Sequence, residues 1–280
     1  MQLTISLKSC GTEMNELLDG FRVLICLIFL AYASWSDLKT REVSNRLWAV
    51  FAPIALALTS LQFLMSFDPQ LLYTYVLSFA LTTVVSVTLF YAGAFGGADA
   101  KALICLSLAL PSYPTNLLQP LLSLGYSLFP ITVFSNAVLL AASSAFYALT
   151  RNYLWKHKTG RKLFEGFEKE SISRKILTLL CGYKVDITKL ENVGHIYPLE
   201  DIYTAENGEN KRKLLVFPKD EERQQIVDRV LNAKREGKLQ DDVWITPGLP
   251  MLVFITAGLI VALLFGDIIW SILRLILVAP

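Results

Sequence analysis

The sequence predicts an all-α polytopic membrane protein of about six transmembrane helices, with a small cytoplasmic α+β insert between helices 5 and 6. Three observations carry that expectation. Of 280 residues, 54% are hydrophobic and the mean hydropathy is +0.47, outside the usual range of a soluble domain. Crossing the hydrocarbon core takes roughly 20 mostly apolar residues in a helix, and six runs of about that kind occur, near 21–36, 47–66, 71–91, 101–122, 128–150 and 249–273. Charge, finally, is segregated: residues 151–245 hold 19 of the 26 Lys and Arg and 16 of the 24 Asp and Glu.

The first run contains LICLIFLAYAS, whose Ala31-x-Ala33 resembles a signal-peptide cleavage site. Residues 1–22, however, set Lys8 and Arg22 against Glu13, Glu16 and Asp19, so the flank is not positive and a retained first helix is expected. The fourth run is broken by Pro111 and Pro114. Lys39, Arg41, Arg46, Lys101 and the charged insert all fall on one side of a six-span chain, whereas the loops around SFDPQ and 111–125 carry no Lys or Arg. The positive-inside rule makes the charged side cytoplasmic. The expected organisation is therefore 1–150 as helices 1–5, 151–246 as the soluble insert and 247–280 as helix 6.

Within the insert, KVDI, GHIYPL and KLLVFP read as short strands bounded by Gly, Asn and Pro. KDEERQQIVDRVLNAKREGKL reads as a helix, with Asp220, Glu221 and Glu222 at its start, Lys234 and Arg235 near its end and Gly237 as its cap. Ile226, Val227, Val230 and Leu231 give that helix an apolar stripe to lay on the strands.

Several chemistries find no footing. Cys10, Cys26, Cys105 and Cys181 make no CxxC pair, so a zinc site or disulfide framework is not expected. The two histidines, His157 and His195, both lie in the insert, which disfavours a Ser-His site in the membrane part. No phosphate-binding or dinucleotide fingerprint is present. No cofactor, metal or nucleic-acid partner is expected.

Two carboxylates remain, Asp37 after the first run and Asp99 between the third and fourth, both at the cytoplasmic mouth. Taken singly, either is an ordinary solvated residue at a membrane junction. Asp99, however, stands among Gly93, Gly96, Gly97, Ala92, Ala94, Ala98 and Ala100, where the backbone can bend and another chain can approach closely. Two carboxylates brought together share a proton, so one can act as general base on water while the other, protonated, polarises a carbonyl or protonates a leaving amine. The competing reading is a transporter or assembly scaffold in which the pair binds ions or protons. A transport carboxylate belongs nearer the bilayer midplane on a polar path, and Asn116 and Asn136 are too scattered to make one.

SDLKTREVSNRLW and GAFGGADAKALICLSLALP resemble the two catalytic segments of the GxGD-type intramembrane aspartyl peptidases, specifically the type IV prepilin and archaeal preflagellin peptidases. Asp37 with Asn45, and Asp99 with Lys101 behind Gly96, Gly97 and Ala98, match that family's layout. Ala98 replaces the third Gly and Ser44 the usual Pro before Asn45. TPGLPMLVFITAGLIVALLFGD is similar to the final helix of archaeal members, while most of the insert lies outside the resemblance. Asp267 is read as an interfacial charge on the opposite face.

The resemblance implies catalysis by Asp37 and Asp99, with Gly96, Gly97, Ala98, Lys101 and Asn45 in support. Lys101 is read first as an interfacial anchor and second as an electrostatic partner of Asp99. The implied substrates are preflagellin or prepilin proteins, whose short basic leader is removed ahead of a hydrophobic helix at the cytoplasmic face of the cell membrane. Lacking a CxxC domain, the chain fits the cleavage-only archaeal branch, and methyl transfer is not expected.

Overall fold

A computed structural model describes residues 2–65, 67–115, 117–122, 128–192, 196–204, 210–215, 223–237 and 242–278. Asn116, His195 and the acidic run 220–222 lie outside them. The chain divides into two compact units, one of residues 1–141 and 250–280 and the other of residues 142–249.

The first unit is helical. Helix α1 (Gln2–Thr40) leads to α2 (Asn45–Met65), α3 (Pro69–Tyr91), α4 (Gly97–Ala109) and α5 (Phe129–Ala142), and the chain returns through α10 (Met251–Phe265) and α11 (Ile268–Val278). Among the described residues, four stretches are long and apolar enough to cross a membrane: Met14–Thr40, Asn45–Met65, Pro69–Tyr91 and Phe129–Thr159. The bent pair α10 and α11 makes a fifth if it is one span. With apolar side chains such as Val76, Leu81, Val84 and Phe90 exposed along α3, these helices need lipid around them. The protein is a multi-pass membrane protein.

Two of the six expected spans differ from rods. The run at 101–122 is helical only as far as Ala109, the end of the 13-residue α4 and two residues before Pro111. Its end is satisfied from outside, Thr59 donating to the Leu108 carbonyl at 2.7 Å and Ser78 to that of Pro111 at 2.8 Å. These bonds spare buried carbonyls the desolvation cost of having no partner. The run at 249–273 bends by 55° between α10 and α11. Gly266 takes φ +83° there, and Asn136 bridges the break by donating to the Gly266 carbonyl at 2.9 Å and accepting from Ile268 N–H at 3.2 Å. Asp267 accepts Trp270 N–H at 2.9 Å and the Thr132 hydroxyl at 3.2 Å. It thus caps α11 rather than standing free at an interface.

Short α4 is the hub of this unit, packing against α1, α2, α3 and α10. Its Leu103 and Leu106 join Cys26, Leu30 and Ala33 of α1, Phe51 and Ala55 of α2, Val133 of α5 and Leu252, Ile255, Leu259 and Ala262 of α10 in one core. Midway along α1 the buried Arg22 donates to Gln62 at 2.6 Å and to the Leu58 carbonyl at 3.0 Å, and pairs with Asp19 at 3.5 Å. An intramembrane charge is tolerated when so partnered.

The second unit begins with α6 (Ser144–Thr159), α7 (Ile172–Cys181), β1 (Tyr183–Asp186) and α8 (Thr188–Asn192). It continues with β2 (Ile196–Pro198), β3 (Glu200–Thr204), β4 (Asn210–Leu214), α9 (Arg223–Arg235) and β5 (Asp242–Pro247). Strands β1, β5 and β2 form an antiparallel sheet in that order, and β3 and β4 a hairpin. The expected α9 stripe is seated: Ile226, Val227 and Val230 pack with Val185, Ile187, Ile196, Val243 and Ile245. Glu200, fully buried, takes two hydrogen bonds from Arg212 at 2.8 and 2.9 Å and one from Trp244 N–H at 3.4 Å.

Candidate active site

Asp37 stands on the buried stripe of α1, following Cys26, Leu30 and Ala33 at helical spacing. It lies in the last turn, where its carbonyl accepts Arg41 N–H at 3.0 Å. Arg41 closes the helix with φ +58°, in the region Gly normally occupies, and its guanidinium is near enough to the Asp37 carboxylate to interact electrostatically. The corner that follows is fixed by two hydroxyls on one carbonyl, Ser36 and Thr40 donating to that of Glu42 at 2.7 and 3.0 Å. Ser44 then accepts Arg46 N–H at 3.3 Å at the start of α2. A serine performs there the helix-starting task that a proline supplies by its fixed φ.

Asp99 is the third residue of α4 and also lies on a buried stripe, with Leu103, Leu106 and Leu110. Its Oδ2 accepts Gly96 N–H at 3.0 Å, so the carboxylate sits against the positive end of the helix. Gly96 has a steric reason to be glycine: a Cβ there would lie 3.1 Å from Asp99 Oδ2. Gly93 adopts φ +73° where α3 turns toward α4, a conformation that disfavours any side chain. Gly97 is freer, since a Cβ would meet only Phe90 at 3.6 Å. Ala98 packs against the unit's core.

The structure brings the sequence candidates together. Asp37 and Asp99 lie close enough for their charges to interact, and two candidate spans, α2 and α3, separate them in the chain. Lys101 donates to Asn45 Oδ1 at 2.7 Å, joining the first turn of α4 to the first residue of α2. That contact, and Arg41 beside Asp37, escape the sequence reading: Lys101 finds an amide rather than only the interface, and an arginine in the left-handed region has no sequence signature. His157 lies in α6 of the second unit, its ring centroid 6.1 Å from that of Tyr153 in a tilted arrangement. Among the described residues no group of three His, Cys, Asp or Glu could hold a metal ion.

Comparison with known proteins rests on the same segments. Residues 24–146, which contain both aspartates, Asn45 and Lys101, match the model of the type IV leader peptidase family. Residues 174–268 match the archaeal peptidase A24 C-terminus, type II. The chain is similar to the type IV leader peptidase family. Among this peptidase's relatives is a preflagellin peptidase of Methanococcus voltae, 28% identical over 257 residues that cover 89% of this chain and 97% of that one. Another is a preflagellin peptidase of Methanococcus maripaludis strain C6, 25% identical over 250 residues, 87% and 94% of the two chains. The second family match enlarges the resemblance seen in sequence, because it takes in much of the insert as well as the final helix. An aspartic mechanism, with its site in a multi-pass membrane unit, is consistent with this family.

Proposed function

We propose that this peptidase removes the short basic leader of preflagellin and related prepilin-like precursors at the cytoplasmic face of the membrane, with Asp37 and Asp99 as its catalytic pair. The observation that carries the reading is the electrostatic interaction between these two carboxylates, each on the buried stripe of its own helix. The basic residues on that face, Lys39, Arg41, Arg46 and Lys101, support its cytoplasmic placement. The names of the relatives support preflagellin as substrate.

In this mechanism the ionised carboxylate accepts a proton from water as the water oxygen attacks the scissile carbonyl carbon. The protonated partner hydrogen-bonds to the carbonyl oxygen as it gains negative charge. Collapse of the tetrahedral intermediate breaks the C–N bond, and the proton taken from water passes to the leaving amine. Gly96 N–H holds Asp99 from one side and leaves its second oxygen for the reaction. Asn45 and Lys101 position the start of α4 rather than touch substrate. Residues 1–150 with 247–280 then form the catalytic membrane part, with 151–246 a soluble insert on the cytoplasmic side.

The test is cleavage in membranes. A leader-bearing preflagellin and a prepilin are each co-expressed with wild type, Asp37→Asn and Asp99→Asn, and the substrate mass is read. Wild type is expected to shorten the preflagellin by its leader and both variants to leave it intact. Processing at the wild-type rate by either folded variant overturns the assignment.

A further inference from the structure

Helix α7 of the soluble unit is built inside out. Ile172, Ile176, Leu177 and Leu180 are exposed, Ile172 to 76%, whereas Thr178 is buried. Residues 172, 176 and 180 repeat at helical spacing and form one continuous stripe, flanked by Leu177. Of the helix's apolar residues, Leu179 alone packs against the small core of Phe167, Leu199, Leu214 and Trp244. The helix is well made otherwise, with Ser171 Oγ capping it by accepting Arg174 N–H at 3.4 Å. An ordered amphipathic helix with its aliphatic side outward calls for an apolar medium on that side.

The position of α7 along the chain says which medium. Asn152 of α6 donates to the Leu179 and Gly182 carbonyls at 3.3 and 2.8 Å, tying the end of α7 to that turn of α6. Asn152 belongs to the helical stretch Phe129–Thr159, which is apolar enough to cross a membrane. Counted from Phe129, the roughly 20 residues needed to cross a hydrocarbon core end near residue 149. Asn152 follows within about one turn. Around it stand the side chains typical of a membrane interface: Tyr147, Tyr153 and Trp155, then Arg151, Lys156 and Lys158. α7 itself carries Arg174, paired with Glu170 at 3.1 Å, and Lys175, which donates to the Glu168 carbonyl and keeps a positive charge suited to anionic headgroups.

We propose that α7 is an interfacial helix, with Ile172, Ile176, Leu177 and Leu180 seated in the bilayer surface. The apolar stripe enters the acyl boundary, and the flanking basic side chains meet the headgroups. Lipid thereby holds the soluble unit by a second contact besides its covalent tethers. The proposal does not depend on leader cleavage.

The test uses the full chain in vesicles of phosphatidylcholine and phosphatidylglycerol. Cys10→Ser and Cys181→Ser remove the thiols other than the buried Cys26 and Cys105. A nitroxide is then attached at Ile176→Cys or, in a second protein, at Ile172→Cys, with Arg174→Cys as the control. Collision with oxygen is compared with collision with a water-soluble nickel complex. A label 5–10 Å into the interface should raise the oxygen-to-nickel ratio at 172 and 176 about fivefold or more over that at 174. Equal ratios at all three positions overturn the proposal. It is also overturned if protection at 176 appears only when protein is crowded in the vesicle, which marks a second copy, or only after precursor is added, which marks substrate. Circular dichroism of each labelled protein verifies that the helices are intact.

Discussion

The Lys101 ammonium donates to Asn45 Oδ1 across 2.7 Å, so the first turn of the helix bearing Asp99 is tied to the residue at which the chain re-enters the membrane after Asp37. Both partners are exposed, and such a contact contributes about 1 kcal/mol or less to stability. Its consequence is positional. Lys101→Met and Asn45→Ala are each expected to slow leader cleavage about tenfold with little change in melting temperature, since small misplacements of catalytic groups are costly. The double variant should be no slower than either single one. Additive losses in membrane cleavage assays would show that the two side chains act separately.

Gly96→Ala tests the room beside Asp99. Glycine has φ −72° there, so alanine suits the backbone, but its methyl carbon would meet Asp99 Oδ2 at 3.1 Å. The carboxylate must turn away or lose its bond from the residue 96 N–H. Cleavage is expected to fall at least about tenfold, chiefly in kcat, while the protein extracts and melts as wild type. Gly97→Ala, with only Phe90 at 3.6 Å, should retain most activity.

Gly258→Ala strikes packing instead of chemistry. Its Cβ would lie 2.6 Å from the Val133 carbonyl oxygen and 2.8 Å from Ala137 N, both backbone atoms of α5. Backbone cannot rotate aside as a side chain can, so α5 and α10 must separate. The expected cost is about 1–3 kcal/mol, visible as a lower unfolding midpoint in detergent.

An acid-sensitive contact lies in the second unit. Hydrogen bonds from the Thr188 hydroxyl and N–H, at 2.7 and 2.9 Å, hold the Asp186 carboxyl below its ordinary value. A depressed carboxylate stabilises the fold above its unfolded value, near 3.9, and that contribution is lost as pH falls through the lower folded value. Asp186→Asn keeps an acceptor but no titrating charge, so it should flatten this acid limb of the unfolding midpoint. An unchanged limb in full-chain melts between about pH 5 and 2 would assign it to other groups.

How far this arrangement was legible in sequence varies by element. Spans α2 and α3 follow from unbroken apolar runs, with Asp68 capping α3 by accepting Gln70 N–H at 2.9 Å and Pro69 in its first turn. The α9 stripe was equally plain. The fourth run gives only the short, buried α4, whose end was hidden because Thr59 and Ser78, which satisfy it, lie 49 and 33 residues upstream. The break at Gly266 was hidden for the same reason: Asn136, which satisfies it, is 130 residues distant. The two aspartates stood out as isolated charges beside apolar runs. Their shared environment, with Arg41 held at φ +58° by a corner of hydroxyl bonds, depends on three-dimensional geometry that spacing alone does not encode.

The buried Glu200–Arg212 pair constrains the β3–β4 hairpin in another sense. In the observed ladder Glu200 faces Leu214 and Ile202 faces Arg212, so the carboxylate reaches an arginine one diagonal step away. A slip of one residue would turn every side chain of one strand to the opposite side. A slip of two that set Arg212 opposite Thr204 would restore the faces but draw the guanidinium along the ladder, away from a carboxylate that has no exposure to water. An uncompensated buried charge costs about 3–5 kcal/mol, comparable to much of a small domain's stability. The pair is therefore a one-way registration pin: it holds two short strands against drift in the direction that would part the charges.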